Sequence, residues 1–215
     1  APLLTLEVFG HTAQGRDLYA IRARMPGKPN KPILFAQAGI HSGEIDGKDV
    51  GMMFLRDIAL RGKDHLLDRA ELVFIPIFNA DGHERSSATN RPNQRGPSNQ
   101  GWRTTAQNLN LNRDWLKADT PEMRAMRTYI NRLNPALILD LHVSDGIDHQ
   151  YDITFTFPGW AGSPSHSPAI GAWLDTFYRP AITKALGKAG HIPGLYVEAI
   201  DPHKLEKGAL LSPDT

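Results

Sequence analysis

The sequence predicts an α/β fold built on a mixed, mainly parallel central sheet with helices on both faces. Three features of the 215 residues predict it: an alternating hairpin pattern at the start, three short continuous apolar runs further on, and helical-period segments between those runs. No linker-like shift in composition divides the chain, so residues 1–215 are read as one domain with its own hydrophobic core.

Taken in order, residues 3–9 and 17–25 alternate apolar and polar positions about a turn at Gln14-Gly15, the pattern of a hairpin with one buried face. The runs at 32–39, 72–78 and 136–141 are apolar almost throughout, as strands covered on both faces should be. Between the first two, residues 46–61 place Val50, Phe54, Leu55 and Ile58 at helical spacing. Before the third, residues 121–133 do the same with Met123, Met126 and Ile130, after the start signal Thr120-Pro121-Glu122. Alternation of strand and helix then implies a sheet whose ligands sit beyond the carboxyl ends of its strands. Residues 79–110, rich in Asn, Gly, Ser, Arg and Pro, make an unusually long connection, the kind that carries function or moves. A strand at 151–157, a helical stretch over about 168–188 interrupted by Pro180, and an extended segment at 195–200 complete the reading.

Composition excludes several classes of function. A formal charge of +1, with Lys and Arg scattered among acids, provides no basic stripe for nucleic acid or anionic lipid. No apolar run approaches the roughly 20 residues that span a bilayer. Opening on Ala1 is compatible with removal of a leader, and so with a secreted or periplasmic location, but also with removal of Met alone in a cytoplasmic protein. Because the chain has no cysteine, a bound metal would have to be held by histidine and carboxylate.

Such a set is present. His41-Ser-Gly-Glu44 lies where the apolar run ending at Gly39 turns toward a helix, and His142 lies at the end of another apolar run. Two ligands from one turn and a third from a neighbouring strand end would leave a fourth position open, which is the arrangement of a catalytic zinc. The bland alternative makes His41 a turn residue, Glu44 a solvated first-turn acid and His142 an ordinary strand-end histidine. It suits each residue alone better than it suits the three together. The other histidines, with His149 the nearest rival, read as surface residues.

The segments His41-Ser-Gly-Glu44, Asn79-Ala-Asp-Gly82, Gly101-Trp-Arg103, Asn108-Leu-Asn-Leu-Asn-Arg-Asp-Trp115 and Leu139-Asp-Leu-His142 occur in the order seen in zinc carboxypeptidases. Over residues 31–142 the chain resembles that family, and more loosely thereafter. The resemblance implies that His41, Glu44 and His142 bind Zn²⁺, that Arg103 polarises the scissile carbonyl, and that Asn112 with Arg113 holds the terminal carboxylate of the substrate. The chemistry of these groups suits the roles, since a planar guanidinium matches a carboxylate in a way an ammonium cannot.

The sequence departs from the family pattern in two places. Where many members carry an Asp that orients the first zinc-binding histidine, this chain has Asn110, an acceptor without the charge that raises ligand basicity. The family's general-base Glu and substrate-contacting Tyr belong to a late strand and its preceding loop. Glu198, Glu206 and Tyr196 are the available residues, and none stands in the family's context, so the expectation is a catalytic domain incomplete at its C-terminus whose base lies beyond Thr215. Hydrolysis of a C-terminal peptide bond is the reading this supports. A related amide hydrolase acting on an acylated amino acid with a free carboxylate, and an inactive zinc-holding binding module, remain as alternatives.

Overall fold

The computed structural model describes residues 2–144, 146, 150–157 and 167–196, and the backbone alone of 199–200 and 209–210. The chain divides into two compact units, Ala1–Gly146 and Ile147–Thr215.

The first unit is built on a five-stranded sheet in the order β1-β2-β4-β3-β5. Strands β1 (Leu4–His11) and β2 (Asp17–Ala23) form the expected antiparallel hairpin, and β2 continues antiparallel to β4 (Glu71–Ile75). Strand β3 (Ile33–Ala38) then runs parallel to β4 on one side and to β5 (Leu137–Leu141) on the other. The mixed sheet is therefore parallel where the apolar runs lie and antiparallel where the alternating hairpin joins it. Continuous runs need cover on both faces, whereas an alternating pattern buries only one.

Two helices supply that cover for β3 and β4, whereas β5, against expectation, is not covered on both faces, its Ile138 being 45% exposed. Helix α3 (Pro121–Leu133) buries Met123, Met126 and Tyr129 against Phe35, Val73 and Ile75, on one face of the sheet. Its start follows the predicted capping logic: Thr120 Oγ1 accepts from Met123 N at 3.1 Å, and both polar groups of Thr120 donate to Asp114 Oδ2. Asn134, at φ 47°, ends the helix in the left-handed conformation that Asn tolerates. Burial of each large side chain contributes roughly 1.5–3 kcal/mol, so this layer is a principal source of stability.

Helix α1 (Asp46–Leu60) covers the opposite face, but not with all the residues the periodicity suggested. Leu55 and Ile58 are buried and Phe54 packs at the margin, whereas Val50 is 64% exposed. The reason is glycine. A Cβ on Gly47 would lie 2.6 Å from Leu141 Cβ, and one on Gly51 would lie 2.1 Å from the Phe74 ring. The contact stripe is thus Gly47, Gly51, Leu55 and Ile58, and its glycine half lets the helix press directly onto β5 and β4.

The long connection is not structureless. A short helix α2 (Ala80–Glu84), missed in the sequence, opens it, with Asn79 Oδ1 accepting from Gly82 N at 3.0 Å. Further on, Trp102 N donates to Gly82 O at 2.8 Å, Asn79 Nδ2 donates to Arg103 O at 3.2 Å, and Ser87 pairs with Gln100. A 3₁₀ turn, Leu111–Arg113, closes the segment.

In the second unit, β6 (Ile153–Phe155) pairs in parallel with β7 (Pro193–Leu195). Helix α4 (Pro168–Trp173) passes through one π-helical turn, Leu174–Tyr178, into α5 (Arg179–Lys188). The widened turn falls just before Pro180, where the missing N–H and the ring would disturb regular α-helical bonding. A two-residue pair, β8 (Ala199–Ile200) with β9 (Ala209–Leu210), follows. Among the described residues, no helix is long and apolar enough to cross a membrane.

Candidate metal centre

The turn carrying the first two candidate ligands is anchored on both sides. Just past the ends of β3 and β4, Phe78 N donates to Ala38 O and Asn79 N to Gly39 O, extending the parallel pairing toward the turn. Ser42 Oγ donates to Asn79 O at 2.8 Å. Gly43 takes φ 97°, a conformation costly for any other residue, and its missing Cβ leaves room for the Arg91 stem, whose Cγ would lie 3.1 Å away. His41 and Glu44 are both 4% exposed.

His142 follows β5 directly. Because Ala38 and Leu141 are register partners in adjacent parallel strands, the chain leaves both strands side by side, and the third ligand arrives beside the first two. His41 Nδ1 lies 3.0 Å from Glu44 Oε1, and His142 Nδ1 lies 3.0 Å from Glu44 Oε2. The imidazole ring centroids are 5.1 Å apart. One ligand atom from each of the three residues falls within 4.8 Å of the others.

These residues fit a zinc ion. Ligand atoms at about 2.0–2.2 Å from a tetrahedral zinc stand roughly 3.3 Å apart, a separation that lies between the 3.0 Å histidine–glutamate contacts and the 4.8 Å limit of the set, so modest side-chain rotation lets the three share an ion. The outer nitrogens are also committed: His41 Nε2 lies 3.2 Å from Asn110 Oδ1, and His142 Nε2 lies 3.1 Å from Asp140 Oδ2. Both acceptors favour N–H at Nε2 and leave the Nδ1 lone pair for a metal. The amide of Asn110 thus accepts from imidazole as the sequence allowed, while Asp140 is a partner the sequence reading overlooked. The period of two along a strand, which puts 140 and 142 on one face, is the signal that would have found it.

The electrostatics are those of a cluster that holds charge in a confined space. Burial pushes the Glu44 carboxyl upward, but hydrogen bonds from His142 and His41 outweigh it and hold the group well below the usual carboxylate range. For His142 burial acts downward, yet hydrogen bonds to Asp140 and Glu44 prevail and raise it to about 10. Two arginines also reach Glu44 Oε1. Arg103, the expected carbonyl-polarising residue, places Nη1 at 3.5 Å, and buried Arg91 donates from Nη2 at 3.1 Å and from Nη1 to Ser42 O at 3.2 Å. Arg91 sits deep in the long connection, and no spacing in the sequence marks it. It lines, with Asn90, Asn93, Trp102, Arg103 and Thr104, a cavity of about 590 Å³ beside the cluster.

The other predicted positions are placed less directly. Asn112 is tied to the cluster through its backbone, its N–H donating to Asn110 Oδ1 at 2.9 Å. Arg113 is exposed, and its Nη1 donates to Asn112 O at 2.9 Å. The amide of Tyr196 donates to Phe155 O in the second unit, and Glu198, Glu206 and His149 lie outside the described residues.

A mixed α/β sheet with two histidines and a glutamate converging at adjacent parallel strand ends defines the class as an α/β protein with a candidate catalytic metal site. Residues 2–163 match the family described as zinc carboxypeptidase, and the chain belongs to that family. Carboxypeptidase B of Rattus norvegicus is 28% identical over 139 residues, covering 59% of this chain and 32% of the relative. Carboxypeptidase B of Bos taurus is 27% identical over 135 residues, with the same shares covered. The chain thus spans about a third of the length of the curated relatives it matches. Among solved structures, a putative carboxypeptidase from Burkholderia mallei superposes with a TM-score of 0.65 at 19% identity, over 94% of this chain and 48% of that one. Carboxypeptidase A of Helicoverpa armigera gives 0.63 at 18% identity, over 90% and 52%. Both are likenesses of fold.

Proposed function

We propose that this protein hydrolyses C-terminal peptide bonds with a zinc ion held by His41, Glu44 and His142. The observation that carries the proposal is the convergence of those three ligand atoms within 4.8 Å at the carboxyl ends of β3 and β5. A zinc ion there would supply Lewis acidity toward the scissile carbonyl and an acidified water at neutral pH.

The chain's own residues account for the remaining requirements. Arg103, beside Glu44, is the donor for charge developing on the carbonyl oxygen, a role worth about 3 kcal/mol for one well-aimed group. Asn112 and the guanidinium of Arg113 take the substrate's free carboxylate, whose geometry a planar fork matches. Arg113 is exposed and, among the described residues, is held only by a bond to its own backbone neighbour, so it can turn to a ligand at little cost. The general base in this reading lies outside the described residues.

Two measurements test the proposal together. Purified protein should retain one zinc per chain after dialysis, and His142→Ala should abolish that stoichiometry. Blocked peptides with a free C-terminus should be cleaved and their amidated forms spared, with Arg113→Ala removing the preference. Zinc retained at full affinity by His142→Ala, or equal cleavage of free and amidated peptides, would refute the corresponding half. Acylated amino acids belong in the same panel, and faster turnover of these than of peptides would move the substrate class.

A further inference from the structure

The two histidines of the candidate centre are supported unequally. His41 rests on a neutral amide, Asn110 Oδ1 at 3.2 Å. That oxygen also accepts from Asn112 N at 2.9 Å and caps the 3₁₀ turn, so its position is set by the backbone. His142 rests on a full negative charge, Asp140 Oδ2 at 3.1 Å. Among the described residues, Asp140 is the one carboxylate other than Glu44 bonded to either histidine.

The local structure explains how Asp140 comes to do this. Leu139 and Leu141 point to the α1 face and pack there, so 138, 140 and 142 share the other face. Aspartate is a poor strand former, and this face of β5 is exposed at Ile138, so packing does not dictate the residue at 140. Its Oδ2 meets the nitrogen of His142 that faces away from the cluster, so the charge is delivered through the ring to Nδ1.

We propose that Asp140 is the positioning residue of the centre, supplying through His142 the ligand-strengthening charge that Asn110 cannot supply through His41. This rests on the zinc reading above. A carboxylate behind an imidazole ligand fixes the tautomer, orients the ring and raises the basicity of the ligating nitrogen, and loss of such a partner typically lowers metal affinity about 10- to 100-fold. The effect is largest for the most exposed ligand. His142 is 34% exposed at its side chain against 4% for His41, so packing does less to orient it and the hydrogen bond does more.

The test is zinc affinity, measured on the chelator-stripped protein by competition with a chromophoric chelator. The variants are Asp140→Asn, Asn110→Asp and the two combined, with metal-free melting followed in parallel. Asp140→Asn should bind zinc about 10- to 100-fold more weakly while its metal-free melting stays that of the parent. The combined variant, which moves the charge to the other histidine, should regain most of the loss, a recovery that a merely structural role for Asp140 would not produce. An Asp140→Asn affinity unchanged from the parent overturns the proposal, and so does a combined variant no tighter than Asp140→Asn. Failure of the underlying reading looks different: the parent would bind no zinc, or His142→Ala would bind it as tightly as the parent.

Discussion

The two halves of the candidate centre are built by different means. The 41–44 turn is buried, spans the ends of two paired strands, and is gripped by Ser42 Oγ on Asn79 O and by the Arg91 guanidinium on Ser42 O and Glu44. His142 stands at the end of β5, one-third exposed, and is oriented by its two carboxylate neighbours, Glu44 and Asp140. Packing positions the first half and charge positions the second. The comparison teaches that damage to the turn should reach the fold, whereas damage at His142 should reach the metal first.

Glu44→Ala should give the largest effect. It strips the acceptor from two histidines and removes the buried carboxylate to which Arg91 donates, so zinc should be lost and stability should fall by about 3–5 kcal/mol. His142→Ala should lose zinc equally and cost far less in denaturant unfolding. Equal stability losses in the two variants would break the distinction.

Gly43→Ala comes next. It places a Cβ 3.1 Å from Arg91 Cγ on a backbone at φ 97°, and should destabilise by about 1–3 kcal/mol in urea titration. Zinc affinity should fall with it, because the turn that presents both His41 and Glu44 must shift. A fully stable variant would mean that the turn is looser than its contacts indicate.

A smaller change of opposite sign is expected at Gln37. This fully buried side chain has no hydrogen-bond partner for either amide atom among the described residues, an arrangement that costs stability. Gln37→Met keeps the bulk and removes the polar group, and should raise stability by about 1 kcal/mol. Gln37 is the register partner of Asp140 on β5, so zinc affinity measured on the same variant shows whether the strand beneath Asp140 also matters to His142.

The smallest effect is in pH dependence, and it separates the halves again. His142 is raised from 6.5 to about 10 in the metal-free fold, so its contribution is fully present below pH 6.5 and is lost as pH rises through about 10. Glu44 is lowered, so its contribution is present above the ordinary carboxylate value of 4.5 and is lost as pH falls below it. Metal-free protein should therefore melt lower on the alkaline side in a way that His142→Gln flattens, while the acid limb remains. An alkaline limb unchanged in His142→Gln would remove that assignment.

Most of the framework was legible in the residues. The hairpin, the three apolar strands and helix α3 fall within a few residues of their predicted bounds, because each is written in local periodicity and in a capping signal. The convergence of His41, Glu44 and His142 was legible as well, since strand ends and residue chemistry suffice to nominate the three as candidate ligands. Other features were not. Val50 falls on the helical period of α1 yet is exposed, because contact there is made by Gly47 and Gly51, and close approach by glycine leaves no hydrophobic period to read. Helix α2 is five residues long, too short for any periodicity to declare itself.

What the sequence by itself determined is therefore the set of elements, their alternation, and which three side chains have the chemistry to share a metal. What only the tertiary structure decided is which neighbours act on those three. The bond from Arg91 to Glu44 spans 47 positions and that from His41 to Asn110 spans 69. Contacts across such distances are set by how the strands register and how closely α1 packs, and local propensity carries no record of either. Asp140 stands between the two cases: its face is readable from a period of two, but its role depends on which nitrogen of His142 turns toward Glu44, and that is settled only when β3 and β5 lie side by side.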